Sequence, residues 1–160
     1  MTLPGGLCIR TMAVVDLDAV LAIERESDAA PHWSRSQYLQ IFEPDSETNF
    51  KRFGMVAEVG SEVAGFAVVR VLVAQEAAEA ELESIVVAPK WRGKGLGMLL
   101  LSESARHARE QGALELALEV RASNLVAILL YRKANFQETG RRRSYYRDPE
   151  EDAVLMRVTL

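Results

Sequence analysis

The sequence has one cysteine and no long hydrophobic run. A lone cysteine, Cys8, cannot form an internal disulfide, so the chain suits a reducing compartment rather than a disulfide-stabilised secreted fold. No apolar stretch approaches the roughly 18 to 20 residues that span a bilayer. The segment MTLPGGLCIR lacks the charged and apolar regions of a signal peptide. We therefore expect a cytoplasmic protein with no membrane partner.

The chain also lacks a strong charge of either sign. Its formal net charge is −4 at pH 7, with 49% apolar and 26% charged residues, which is ordinary for a soluble protein. Nucleic-acid-binding domains are usually basic, so we expect no nucleic-acid partner. The 160 residues contain no linker, low-complexity stretch or repeat, and we expect a single domain over residues 1–160.

Hydrophobic periodicity predicts an α/β domain with a mixed sheet. In the first half, a strand over residues 7–14 precedes two short helices, for which Asp16 and Ser34 are candidate N-caps. The first helix should bury Leu17, Val20, Leu21 and Ile23, and the second carries Tyr38, Leu39 and Phe42. Three strands follow, and Gly60-Ser61 connects the first two as a hairpin.

The second half continues this alternation of strands and helices. A helix after residue 95 should end at Gly112 and bury Met98, Leu101, Ala105 and Ala108. The strand ALELALEV should place on one face Leu114, Leu116, Leu118 and Val120. A further helix begins near Ser123 or Asn124 and stops at Asn135, and two strands around Asp148-Pro149 complete the chain.

The stretch WRGKGLG, residues 91–97, predicts an anion site between a strand and a helix. Free N–H groups at a helix N-terminus attract negative charge, and glycines let the backbone approach a phosphate. The common nucleotide signatures do not fit, because Met98 occupies a required glycine position and no Gly-Lys-Ser/Thr follows. What remains is R-x-x-G-x-G, formed by Arg92, Gly95 and Gly97. A plain tight turn is the alternative.

R-x-x-G-x-G resembles the acetyl-CoA loop of the GCN5-related N-acetyltransferase (GNAT) superfamily. The resemblance implies a GNAT fold, with a mixed, mostly antiparallel sheet flanked by helices, and acetyl-CoA as co-substrate without a metal. It implies that a strand backbone pairs with the pantetheine arm while loop N–H groups hold the pyrophosphate. The residues it assigns to acetyl-CoA are Ile85, Val86, Val87, Arg92, Gly93, Lys94, Gly95, Leu96, Gly97, Met98 and Asn124.

The second half is similar to the RimI-type branch, the ribosomal-protein-alanine N-acetyltransferases. The matching elements are LEVRASN…LY and YY…EDA…M, with PHWS near residue 32 as a variant of the branch's P-W-S segment. Asn135 stands where the branch usually has glycine, and asparagine tolerates the left-handed backbone that such a position requires. The implied acceptor is a protein N-terminus, including that of a ribosomal protein, and the implied state is a monomer or weak homodimer.

Under this resemblance Glu119 is the general base and Tyr131 the general acid that protonates the coenzyme A sulfur. Without this resemblance, a glutamate on a strand is often simply exposed to solvent, and a tyrosine in a helix often belongs to the hydrophobic core. Glu83 is a competing base, because other branches place a glutamate on that strand. His32, His107 and Cys8 are weaker candidates.

Acceptor recognition would fall to Trp33, Tyr145 and Tyr146, although the two tyrosines also fit a plain hairpin pair. The run Arg141-Arg142-Arg143 fits a solvated strand end or a surface that guides an acidic partner. An α-amine has a pKa of about 7.7 to 8.0 and lysine about 10.4, so the α-amine needs the weaker base. Acetylation of a small amine or lysine, and acyl-CoA binding without turnover, remain alternatives.

Overall fold

The structure is a computed structural model that describes residues 2–3, 5–43 and 47–160. Its strands are β1 (Thr2–Leu3), β2 (Leu7–Thr11), β3 (Phe50–Val59), β4 (Glu62–Val73), β5 (Ala78–Val87), β6 (Ala113–Arg121), β7 (Gln137–Tyr146) and β8 (Glu151–Thr159). Its helices are α1 (Leu17–Arg25), α2 (Arg35–Leu39), α3 (Leu96–Glu110) and α4 (Leu125–Lys133). Apart from the two-residue β1, this is the predicted order of elements.

The strands form one sheet in the order β1-β2-β3-β4-β5-β6-β8-β7. Every neighbouring pair is antiparallel except β5 and β6, which are parallel. The predicted mixed, mostly antiparallel sheet flanked by helices is therefore confirmed. None of the helices in the described residues is long and apolar enough to cross a membrane.

Helices cover both faces of the sheet. Buried side chains of β4 divide between the two: Val69 and Val71 join the cluster that contains residues of α3 and α4, whereas Phe66 and Val68 join the cluster that contains α1 and α2. Adjacent strand residues point to opposite faces, so this division assigns the helix pairs to opposite sides of the sheet. The predicted core stripe of α1 is buried, at 8% exposure or less.

Several helix ends were predicted correctly because they depend on local chemistry. Ser34 Oγ accepts a hydrogen bond from the Gln37 N–H at 3.3 Å and caps α2. Asn124 Oδ1 accepts one from the Ala127 N–H at 3.2 Å and caps α4. Gly112 and Asn135 follow α3 and α4 with φ of +92° and +68°, the left-handed geometry of a helix stop.

The prediction for Asp16 was wrong in its chemistry. Asp16 precedes α1, but its side chain makes no capping bond to that helix. It accepts the Ala13 N–H at 2.8 Å and both terminal nitrogens of Arg10 at 2.8 Å. The bond to Arg10 holds the pKa of Asp16 below its usual value. Arg10 also binds Glu58 on β3, so the aspartate ties α1 to two strands.

Two predicted apolar faces were also partly wrong. Leu114 is 62% exposed, whereas Leu116, Leu118 and Val120 are buried as expected. On α3 the fully buried positions are Leu96, Leu100, Leu101, Ser104 and Ala108, while Met98 and Ala105 are half-buried. The difference arises because Leu96 and Leu100 pack in the cluster with Met55, Ala57 and Ala64, whereas Leu101 and Ala108 pack in the cluster that contains α4.

Candidate active site

The sheet parts between β5 and β6. The two strands pair only near their beginnings, where Ala78, Ala80 and Glu81 face Ala113, Leu116 and Ala117. Beyond Glu81, β5 stays paired with β4 on one edge, and no described strand pairs with its other edge. Residues 82–87 therefore present N–H and C=O groups to a cleft, which is the geometry that lets an extended ligand add to a sheet.

The glycine turn lies at the end of β5 and opens α3. Gly93 and Gly95 have φ of +74° and +82°, a left-handed backbone that only glycine adopts without strain. A Cβ atom at either position would meet no described atom within 4 Å, so the requirement for glycine here is conformational rather than one of space.

No side chain caps the N-terminus of α3. The first intrahelical bond runs from the Leu99 N–H to the Gly95 C=O at 3.2 Å, which leaves the N–H groups of Leu96, Gly97 and Met98 without intrahelical acceptors. Together with the positive end of the helix dipole, these donors form an anion-binding site. The donor set and the exposed β5 edge fit the pyrophosphate and amide arm of acetyl-CoA.

The cationic side chains of the turn have defined positions. Arg92 Nε donates to the Val87 C=O at 3.0 Å and ties the turn to the end of β5. Lys94 Nζ lies 4.6 Å from the centre of the Trp91 ring, and Lys90 Nζ pairs with Glu62 Oε1 at 2.5 Å. The Arg92 side chain thus holds the backbone of the turn, and the Lys94 side chain is left to contribute a positive charge there.

Helix α4 lies beside the start of α3. A Cβ atom at Gly97 would be 3.4 Å from Leu130 Cδ2, so the absence of a side chain permits the close approach of the two helices. Asn124, which was predicted to contact acetyl-CoA, uses its carbonyl oxygen to cap α4. Its amide NH₂ is the group left for a ligand.

Tyr131 projects from α4 into the core beneath the cleft. It is 6% exposed, and its ring lies 5.7 Å from that of Phe136. Burial, with a smaller contribution from Tyr146, raises the pKa of Tyr131 above its usual value. The hydroxyl therefore keeps its proton at neutral and mildly alkaline pH, as a proton donor must.

Glu119 lies on β6 two residues beyond the point where β5 departs. Its Oε1 accepts from Arg142 Nε at 2.9 Å, and its side chain is 21% exposed. A hydrogen bond to Glu119 raises the pKa of Tyr145. Burial raises the pKa of Tyr146 to about 12, with Glu119 contributing. Glu119, Tyr131, Tyr145 and Tyr146 therefore form one electrostatic neighbourhood.

Glu83, the competing base, is held in a different way. Arg52 binds both of its oxygens, at 2.6 and 3.0 Å, and Arg70 approaches to 3.9 Å. Its side chain is 12% exposed. Two guanidinium groups therefore lie against this carboxylate, whereas Glu119 has one arginine partner.

The two parts of the predicted acceptor site are arranged separately. Tyr145 and Tyr146 meet edge to face at 5.1 Å on β7, beside Glu119. Trp33 lies on the connection between α1 and α2, where its backbone N–H donates to the Oε1 of buried Glu24 at 3.1 Å. Its ring faces Arg52 at 5.5 Å, which places Trp33 next to the Glu83 pair rather than against the tyrosines.

The weaker candidates have structural surroundings. The His107 ring packs against Phe53 with centroids 4.5 Å apart, so it is less exposed than a surface residue. His32 has φ of +56° in an exposed connection, and Cys8 is a half-buried free thiol. Within residues 2–3, 5–43 and 47–160, no group of three or more His, Cys, Asp or Glu side chains could hold a metal.

The sequence did not indicate the arginine that pairs with Glu119. The run 141–143 reads as solvated, and Arg141 indeed pairs with nearby Glu138. Arg142 instead reaches a strand two positions away in the sheet. A register shift between Arg142 and Tyr146 and a φ of +48° at Ser144 turn this part of β7. Only sheet order could have revealed the contact.

The parted strands and the uncapped helix form a cleft of the type that binds acyl-coenzyme A. The chain matches the acetyltransferase (GNAT) family over residues 17–136, and it belongs to that family. The family inferred from the glycine turn is thereby confirmed.

The relatives agree with the RimI-type features of the second half. The chain is 33% identical to the ribosomal protein bS18-alanine N-acetyltransferase of Escherichia coli K12, over 95% of this chain and 97% of that protein. A crystal structure of the E. coli ribosomal-protein-S18-alanine N-acetyltransferase matches with a TM-score of 0.76, covering 96% and 93% of the two chains. The fold also matches Arabidopsis thaliana NAA60 in complex with acetyl-CoA, with a TM-score of 0.81, 18% identity and coverage of 96% and 98%.

Proposed function

We propose that the protein acetylates the N-terminal α-amine of a protein in the cytoplasm, using acetyl-CoA in a ternary complex. The observation that supports the proposal is the parting of β5 from β6, because α3 begins after the end of β5 and Glu119 lies two residues beyond the last paired residue of β6. The E. coli relative that spans nearly the whole chain is a ribosomal protein bS18-alanine N-acetyltransferase. A ribosomal protein is accordingly the first acceptor to test.

Acetyl-CoA supplies an acetyl group activated as a thioester. In our proposal the exposed edge of residues 82–87 binds its amide arm by main-chain hydrogen bonds. The N–H groups of residues 93–98 bind its pyrophosphate, and Lys94 adds a positive charge. Binding of this kind depends on backbone conformation and fixes the acyl group relative to β6.

Glu119 receives the proton of the attacking amine. An α-amine requires about 1 kcal/mol to lose its proton at pH 7, against about 4.6 kcal/mol for lysine. A carboxylate that is partly exposed and hydrogen-bonded suffices for the first task. Tyr131 donates its proton to the departing sulfur, and its burial keeps that proton available.

The substrate class is tested by intact-mass analysis after incubation with acetyl-CoA and a mixed panel. The panel contains peptides with different first residues, α-blocked lysine peptides and small amines. Acetylation confined to free α-amines, fastest with alanine first, supports the proposal. Acetylation of lysine or small amines alone would overturn the acceptor, and absence of turnover would favour a binding protein.

The assignment of the base is tested with two matched carboxamide variants. Glu119→Gln should lower kcat by about 100-fold or more, the scale of a general base, with the acetyl-CoA Kd unchanged. Glu83→Gln removes the carboxylate of the competing base, which Arg52 already binds. This variant should keep most of the parental kcat. The opposite ranking would make Glu83 the base.

A further inference from the structure

A second cleft opens on the same face of the sheet as Glu119. It has a volume of about 550 Å³, and its walls include Phe50, Arg70, Glu81, Glu115, Ala117 and Arg157. None of these residues has a role in the proposed chemistry. The cleft lies where β5 and β6 are still paired, so it is distinct from the gap that the coenzyme would occupy.

Strand register connects this cleft to the acceptor side of the active site. Arg70 pairs with Glu81, Glu81 with Ala117, and Ala117 with Arg157. Directly paired residues share a face of the sheet, so these four side chains form one row across it. Glu119 is two residues from Ala117 on β6 and therefore projects from that face as well. The same face of the sheet therefore extends from Glu119 to the cleft.

The distance suits a polypeptide whose first residue is at the active site. Glu115 is four residues from Glu119 on β6, which is about 13 Å at roughly 3.3 Å per residue. An extended acceptor advances by the same amount per residue. With its α-amine beside Glu119, its third to fifth residues reach the cleft.

The charges of the cleft favour a basic segment. Arg70 pairs with Glu81 and Arg157 with Glu115, so both guanidinium groups are already satisfied. Glu79 is exposed on the same row as Leu72, and no cation of the described chain lies within salt-bridge distance of it. The net charge is therefore negative, next to apolar surface from Leu72 and Leu114, which are 42% and 62% exposed.

We propose that this cleft binds the third to fifth residues of the acceptor polypeptide and prefers lysine or arginine there. The inference rests on the proposed function, since it requires a peptide acceptor. It adds a specificity determinant beyond the first residue, supplied by Glu79 on the sheet face.

The test measures kcat/KM for peptides that share their first two residues. One series varies length from two to eight residues, and another places lysine, serine or glutamate at positions three to five. We expect kcat/KM to rise until the fifth residue is present, and lysine peptides to exceed glutamate peptides by about fivefold, the scale of an exposed ion pair. The variant Glu79→Gln should abolish that preference.

The control is Glu103→Gln on α3, which likewise removes one negative charge but lies away from the cleft and pairs with Arg106. It should retain the lysine preference. Rates independent of length, or a charge preference that survives Glu79→Gln, would overturn the cleft assignment while leaving α-amine acetylation standing. Failure of every peptide, the shortest included, would instead refute the proposed function.

Discussion

Replacing Gly95 by alanine separates the strain of the coenzyme loop from the binding of its ligand. Gly95 has φ of +82°, and no described atom lies within 4 Å of the position a Cβ would take. The added methyl therefore causes no collision, and its whole cost is the left-handed backbone, about 1–2 kcal/mol.

This cost must appear in one of two measurements. If the turn keeps its shape, unfolding becomes easier by about 1–2 kcal/mol, or roughly 2–4 °C in Tm for each kcal/mol in a chain of this size. If the turn relaxes, the N–H groups lose their arrangement, and acetyl-CoA affinity falls by about 5- to 30-fold for the same energy. Calorimetric titration with acetyl-CoA and thermal unfolding of the same samples record both.

Gly112→Ala is the matched control. Gly112 has φ of +92° and equally open surroundings, but it ends α3 at the opposite end from the coenzyme loop. Its substitution should lower Tm to a similar extent and leave the acetyl-CoA Kd unchanged. A Gly95→Ala protein with both parental Tm and parental Kd would refute the reasoning, as would a Gly112→Ala protein with impaired binding.

Four other substitutions give sharp expectations. Tyr131→Phe should reduce kcat far more than acetyl-CoA affinity, and equal losses would contradict its role as proton donor. Asp16→Asn should lower the free energy of unfolding at pH 7 by about 2 kcal/mol, because Arg10 loses one of its two carboxylate partners and keeps only Glu58. Since Arg10 lowers the pKa of Asp16, the parent loses this contribution only as pH falls below about 4, so urea titrations of the two proteins should converge there. Ser34→Ala should cost about 1 kcal/mol in the same assay, and no change would mean that the cap is not formed. An unfolded tyrosine loses its proton near pH 10, whereas burial raises the pKa of Tyr146 to about 12. Stability should therefore fall with pH across that window, less steeply in Tyr146→Phe, and identical slopes would refute the shift.

Features determined by neighbouring residues could be predicted from the sequence. The cap at Ser34 and the left-handed stop at Asn135 need only a side chain and the adjoining backbone. The same holds for the glycine turn, whose pattern identified the family. Such interactions involve only a few neighbouring residues, so a short sequence pattern is enough to predict them.

Features determined by sheet order could not be predicted in this way. Asp16 is a residue type that often caps helices, but it pairs instead with Arg10 on β2, which also binds Glu58 on β3. Leu114 continues the apolar alternation of β6 in the sequence, yet the pairing of β5 with β6 shifts register beside it, and Leu114 lines an open cleft. Likewise, the partner of Glu119 is 23 residues away in the chain, and nothing near either residue marks the contact.

The open edge of β5 gives the proposed coenzyme a second effect, on the stability of the protein. On the edge that faces β6, residues 82–87 lack a strand partner in the described chain, and an unpaired edge can recruit other strands. A coenzyme lying along it both protects that edge and favours the folded state, by about 2.7 kcal/mol at a hundred times its Kd. Under the proposed function, the resistance of the protein to unfolding and to edge-to-edge association would therefore rise with the concentration of acetyl-CoA.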